Sequence, residues 1–223
     1  MDYSLIIVLA IIIIGAWLSY SKHALTRMGI LVASIIGLIG FFLGGLNAFF
    51  MFLILFIIAD LGTRIGRYKK LVKFETRSTS NVVANMLAAI LMLSTGNLTA
   101  FNATIASALS DTLSSELGVW SKNKPWLITT LKRVNKGTNG GISLIGLWFA
   151  ALGAVIIAFT SYLFFVPTVK SFLIIAFAGF TGHLIDSLLG ATFENNGKID
   201  NTLTNFYSCF IAGWLAMILN VII

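Results

Sequence analysis

Apolar residues run along this chain in long blocks separated by brief polar punctuation. A membrane-spanning helix needs about 20 mostly apolar residues, within a range of roughly 17 to 25. Eight stretches meet that requirement: 4–20, 28–44, 46–62, 80–96, 98–118, 141–164, 169–192 and 202–222. The second and third form one apolar block interrupted only by Gly44, Gly45 and Asn47. The pattern predicts an all-α fold, a polytopic transmembrane helical bundle of about eight spans.

The placement of charge supports dividing that block in two. Lysine and arginine concentrate in cytoplasmic loops of membrane proteins. With eight spans, the first, third, fifth and seventh loops share a side. They carry Lys22 and Arg27, the cluster from Arg64 to Arg77, the cluster from Lys122 to Lys136, and Lys198, which is fourteen of the fifteen basic residues. Lys170 alone falls on the other side. Fusing the block into one span would move Lys22 and Arg27 across the membrane from the later clusters. Eight spans with the N- and C-termini outside is therefore the expected topology.

Composition agrees. The chain is 58% hydrophobic and 10% charged, with a mean hydropathy of +0.96, whereas a soluble domain keeps roughly 25% charged residues. The net charge of +7 then reads as topological, and no nucleic-acid partner is expected. Cys209 is the single cysteine and has no intrachain disulfide partner. No positive segment precedes Leu5, so the first block is expected to be retained as a helix and not removed as a signal peptide. One integral membrane domain over residues 1–223 is expected, with an active face formed by 60–85, 107–143 and 183–205.

Polar groups inside the spans are few, and each is costly there. In the run from Ser110 to Gly118, Ser107, Asp111 and Ser114 or Ser115 share a helix face, while Glu116 sits about 140° from Asp111. Asp111 could reach a divalent cation; Mg2+ suits one or two carboxylates because it keeps waters and phosphate ligands. An interhelical hydrogen-bond cluster is the alternative for Asp111 and Glu116. In the second motif, His183, Asp186, Gly190 and Glu194 form one stripe, with Asp186 as the second metal ligand and His183 read as a buried histidine bonded to a neighbouring helix. Lys136-Gly137-Thr138-Asn139-Gly140-Gly141 would open the sixth span as an anion-binding nest backed by Lys132 and Arg133. Arg77, Asn81 and Asn85 descend one face of the fourth span, with Arg77 able to clamp a phosphate, and Asn201 and Asn205 repeat the spacing in the eighth. Asp60 and Arg64 are expected to pair with each other. No HExxH, CxxC or GxSxG motif is present.

Taken together, several stretches resemble an integral-membrane family long labelled a domain of unknown function, which includes eukaryotic transmembrane protein 19 and plant phytyl-phosphate kinase. They are Val82-x-Ala84-Asn85 after Arg77, Asp111-Thr112-x-x-Ser115-Glu116-Leu117-Gly118, Gly137 to Ser143, Asp186 to Thr192, and Asn205-Phe206. The match covers about residues 60 to 210. It departs from the family at Asn135, where proline is frequent, and at Glu194, where glutamine is common. The resemblance implies an isoprenoid-phosphate kinase related to CTP-dependent polyprenol kinases. It would transfer a phosphoryl group from a nucleoside triphosphate, most naturally CTP, to a polyprenyl, phytyl or geranylgeranyl monophosphate at the cytoplasmic face. Asp111 and Asp186 would hold Mg2+, with Glu116 beside them, while Arg77, Asn81, Asn85, Lys136, Gly137, Thr138, Asn139, Gly140, Gly141 and Asn205 would hold the nucleotide and phosphates. The expected partners are the isoprenoid phosphate, the nucleotide and membrane lipid, and an oligomer is compatible with such a bundle. Two other classes fit the polar residues: a proton- or cation-coupled transporter or lipid flippase, and a nucleotidyltransferase that makes a CDP-lipid.

Overall fold

The computed structural model describes residues 3–70 and 79–223. Their fold is all-α: α1 (Tyr3–Ser21), α2 (Arg27–Lys70), α3 (Thr79–Ser94), α4 (Leu98–Leu117), α5 (Leu144–Phe164), α6 (Val169–Leu189) and α7 (Asn201–Ile222). Between α4 and α5 the chain forms a two-stranded antiparallel pair, β1 (Trp126–Leu127) with β2 (Gly141–Ile142).

Helix α2 consists of two helical segments. Gly45 breaks it, with φ 67 and ψ −160, a backbone region that glycine enters without a Cβ penalty. The chain then folds back. A Cβ added at Gly37 would lie 3.5 Å from the Phe49 ring, and one at Gly40 would lie 2.6 Å from the Phe52 ring. Twelve residues of unbroken helix would separate each pair by about 18 Å. The expected division at Gly44–Gly45 is thus real, although the second segment runs on to Lys70 and not to 62. Counting its halves separately gives eight helical segments among the described residues. Five helices, α2 counted whole, are individually long and apolar enough to cross a membrane.

Contacts between helix ends sort these segments by direction. Arg64 donates to the Lys22 carbonyl at 3.3 Å and pairs with Asp60 at 2.7 Å, as expected of that pair. Gly66 abuts the backbone of Glu116. The first connection, the end of α2 and the end of α4 therefore share one end of the bundle. At the other end Lys170 donates to the Asn220 carbonyl at 2.9 Å, and Gly44 packs on Leu93. Tyr3 and Ile223 belong to this second end.

Helix α4 is the axis around which the rest is arranged. Fifteen of its twenty residues are buried, and it packs against α2, α3, α5, α6 and α7. Small residues make that approach close. Gly179 of α6 meets Ala106, Gly182 meets Ser107, and Gly153 of α5 meets the backbone at Leu109 and Ser110. Interfaces of this kind rely on van der Waals contact and interhelical hydrogen bonds, because lipid supplies no hydrophobic drive between helices. Asn102 donates to Ser161 at 2.8 Å and Thr99 to Ser171 at 3.3 Å. By contrast, α1 buries only Val8 and Ser19.

Candidate active site

The starts of α3, α5 and α7 and the ends of α4 and α6 converge at the first end of the bundle and enclose a polar cavity of about 760 Å³. Its deep wall is built from α4 and α6. These helices run parallel, because Ala106 faces Gly179, Ser107 faces Gly182, and Asp111 meets His183. The missing side chains of Gly179 and Gly182 let the two backbones close. As a result Asp111 meets α6 at His183, one turn before Asp186, and both carboxylates line the cavity.

Each carboxylate is tethered through one oxygen. His183 Nδ1 lies 3.2 Å from Asp111 Oδ1, and Ser208 Oγ of α7 donates to Asp186 Oδ2 at 3.0 Å. The bond from a buried His183 to a neighbouring helix was expected; its partner being Asp111 was not. Glu116, one turn and a half beyond Asp111, also lines the cavity. So does Glu194, which closes a π turn over Gly190–Glu194 and accepts from Thr204 Oγ1 at 3.2 Å. Turns of this class are rare and tend to occur at functional sites.

The glycine segment reaches the cavity by a route other than the expected one. Residues 137–141 do not open a helix. Gly137 and Gly140 have φ of 87 and 76, which no α-helix accommodates, and Thr138 and Gly141 use their amides on the carbonyls of Asn135 and Thr138. This is a tight turn leading into β2, and α5 begins only at Leu144, capped by Ser143 Oγ accepting from the Gly146 amide at 3.0 Å. The helix-terminus part of the anion-site expectation is therefore corrected. The turn itself packs onto α6: a Cβ at Gly140 would stand 2.5 Å from both the Ser187 carbonyl oxygen and Ala191 Cβ, and Asn195 Nδ2 donates to the Asn139 carbonyl at 3.0 Å. Gly137, Thr138, Asn139, Gly140 and Gly141 all line the cavity.

Lys136 also lines it, with its ammonium held by the carbonyls of Val119 and Ser121. An ammonium has three donors, so one remains for a ligand. Arg133, expected to back the turn with charge, instead donates to the Lys124 carbonyl and stacks 3.9 Å over the Trp126 ring. Asn85, Asn201 and Asn205 complete the lining from α3 and α7. Arg77 and the side chain of Asn81 lie outside the described residues. Among the described residues, no three His, Cys, Asp or Glu side chains converge into a ready-made metal cage. The Asp111–Asp186 pair is nonetheless a donor set that fits Mg2+, which binds through one or two carboxylates and completes its shell with water and phosphate oxygens.

Sequence reasoning gave no role to Ser208, Ser143 or Ser187, which shape the site. Ser208 stands one turn from Asn205 and could have been found by extending that stripe by three residues.

The uncharacterized membrane protein MJ0933 of Methanocaldococcus jannaschii is 37% identical over 224 residues, covering 96% of this chain and 94% of that protein. The uncharacterized membrane protein sll0875 of Synechocystis is 25% identical over 217 residues, covering 88% and 83%. Protein PGR of Arabidopsis thaliana is 45% identical over 98 residues, covering 39% of this chain and 34% of that protein. No solved structure matches. The family model for integral membrane protein DUF92 matches residues 10–217, and this chain is a member of that integral membrane family.

Proposed function

We propose that this chain is an Mg2+-dependent isoprenoid-phosphate kinase. It takes a phosphoryl group from a nucleoside triphosphate, CTP in the first instance, and gives it to a polyprenyl, phytyl or geranylgeranyl monophosphate. The observation that carries this reading is the meeting of Asp111, Asp186 and the Gly137–Gly141 turn around one polar cavity at the end of an apolar bundle. The basic connections at that end favour a cytoplasmic position for it, and in this reading all eight helical segments cross the bilayer.

Phosphoryl transfer depends mainly on positioning and charge neutralisation. Bound Mg2+ supplies the positive charge that offsets the nucleotide's phosphates. Asp111 and Asp186 would hold it, Lys136 and the glycine turn would hold phosphate oxygens, and Arg77, shortly before Thr79 in the sequence, would add a clamp. An oxygen of the acceptor monophosphate attacks the γ-phosphorus, the bond to the β-phosphate oxygen breaks, and the nucleoside diphosphate leaves. The acceptor is already anionic, so no strong general base is needed, in keeping with a wall of carboxylates, hydroxyls and amides.

The test is turnover of CTP with Mg2+ and phytyl or geranylgeranyl phosphate. CDP and the lipid diphosphate are the expected products, and Asp111→Asn and Asp186→Asn are expected to fall to background while remaining monodisperse. Full activity in either variant rejects the mechanism, and pyrophosphate as product assigns a nucleotidyltransferase instead. The transport reading has one supporting observation, the buried polar contacts Asn102–Ser161 and Thr99–Ser171 toward the far end. These pairs have no charged member, and none of their residues lines the polar cavity.

A further inference from the structure

We infer that His183 is a positioning residue, which fixes the Asp111 carboxylate for cation binding. This rests on the metal reading above. The geometry separates the two roles. Both residues line the cavity, but the His183 side chain is 6% exposed and that of Asp111 is 24% exposed, so the carboxylate offers the larger surface to a ligand. A carboxylate that binds a cation is ionised and only accepts hydrogen bonds, so the inferred role requires Nδ1 to carry the proton in the 3.2 Å contact with Asp111 Oδ1. The other ring nitrogen, Nε2, is buried with no hydrogen-bond partner among the described residues.

That orphaned nitrogen argues against a role in fold stability alone. A histidine kept for packing would have both nitrogens satisfied, or would be replaced by an apolar side chain at no cost in unpaired polar atoms. Here the fold tolerates an unpaired acceptor in order to present one donor to one carboxylate oxygen. The arrangement mirrors the second carboxylate, where Ser208 holds Asp186 Oδ2. Each aspartate thus has one oxygen held by a neighbouring side chain. Groups that orient ligating side chains are worth about 10- to 100-fold in metal affinity.

Three substitutions separate positioning from bulk structure. The Asn amide nitrogen can occupy the place of Nδ1, the Gln amide reaches the place of Nε2, and Leu supplies volume without a donor. The readout is Mn2+ affinity of the purified full-length chain, from the electron paramagnetic resonance signal of free Mn2+, with the melting temperature measured alongside. His183→Asn is expected to bind close to wild type. His183→Gln and His183→Leu are expected to bind about 10- to 100-fold more weakly at a similar melting temperature. Wild-type affinity in the Gln or Leu variant, or an Asn variant as weak as Leu, overturns the inference. Should the Leu variant fail to fold, the Asn against Gln comparison still decides. Absence of Mn2+ binding in the wild type overturns the metal reading of the site and this inference with it.

Discussion

Helices α1 and α4 obey opposite rules within one molecule. Helix α1 is apolar on every side, buries two residues and qualifies readily as a membrane span. Helix α4 is rich in alanine, serine and threonine, buries fifteen of its twenty residues and does not qualify by apolar length. Hydropathy measures what lipid will accept. A helix surrounded by protein is judged by how closely its neighbours can approach and by whether its polar groups find partners. The candidate site draws Asp111 from the helix of the second kind and Asp186 from the face of α6 packed against it, where a carboxylate is sheltered from acyl chains.

This contrast can be broken by equivalent substitutions in the two settings. The largest effect is expected for Gly182→Leu, because a Cβ there would already stand 2.2 Å from Ser107 Oγ and 2.7 Å from Ser107 Cβ. Overpacking of this kind costs about 1–3 kcal/mol or more, to be seen as a loss of melting temperature or of folded yield in detergent. Gly140→Ala comes next. It forces alanine to φ 76 against the Ser187 carbonyl, which should cost about 1–3 kcal/mol and lower both melting temperature and nucleotide affinity. Asn97→Ala removes the cap that accepts from the Ala100 amide at 3.0 Å; a loss of about 1 kcal/mol is expected, read as a drop of about 2–4 °C. Gly15→Leu in α1 should be nearly silent, within about 0.5 kcal/mol, because nothing lies within 4 Å of its added Cβ. A Gly15 variant as damaged as the Gly182 variant would abolish the distinction between the two helices.

Much of this was legible from residue order. Long apolar blocks marked the helices, the Gly44-Gly45 pair marked the reversal within α2, and the intramembrane carboxylates marked the cavity. The boundaries that failed share a cause. The stretch 141–164 reads as one apolar block, yet Gly141 and Ile142 are drawn into pairing with Trp126 and Leu127, a contact between residues about fifteen apart that local periodicity does not register. Sequence proximity puts Arg133 at the anion site, whereas the face of Trp126 earlier in the same connection holds it. His183 was placed correctly on its stripe, but its partner belongs to another helix. Only the parallel packing of α4 on α6, set by Gly179 and Gly182, decides which side chain it meets.

One feature at the far end bears on how the molecule sits in an electric field. Lys170 does not project freely there; its ammonium is bound to the Asn220 carbonyl in the last turn of α7, where the negative pole of the helix dipole offsets it. The far rim thus presents one partly offset cation among the described residues, while the rim around the cavity keeps several. A negative surface potential and anionic headgroups would then pull mainly on the rim around the cavity, giving the bundle a preference for a single orientation even though its apolar flanks are similar from top to bottom.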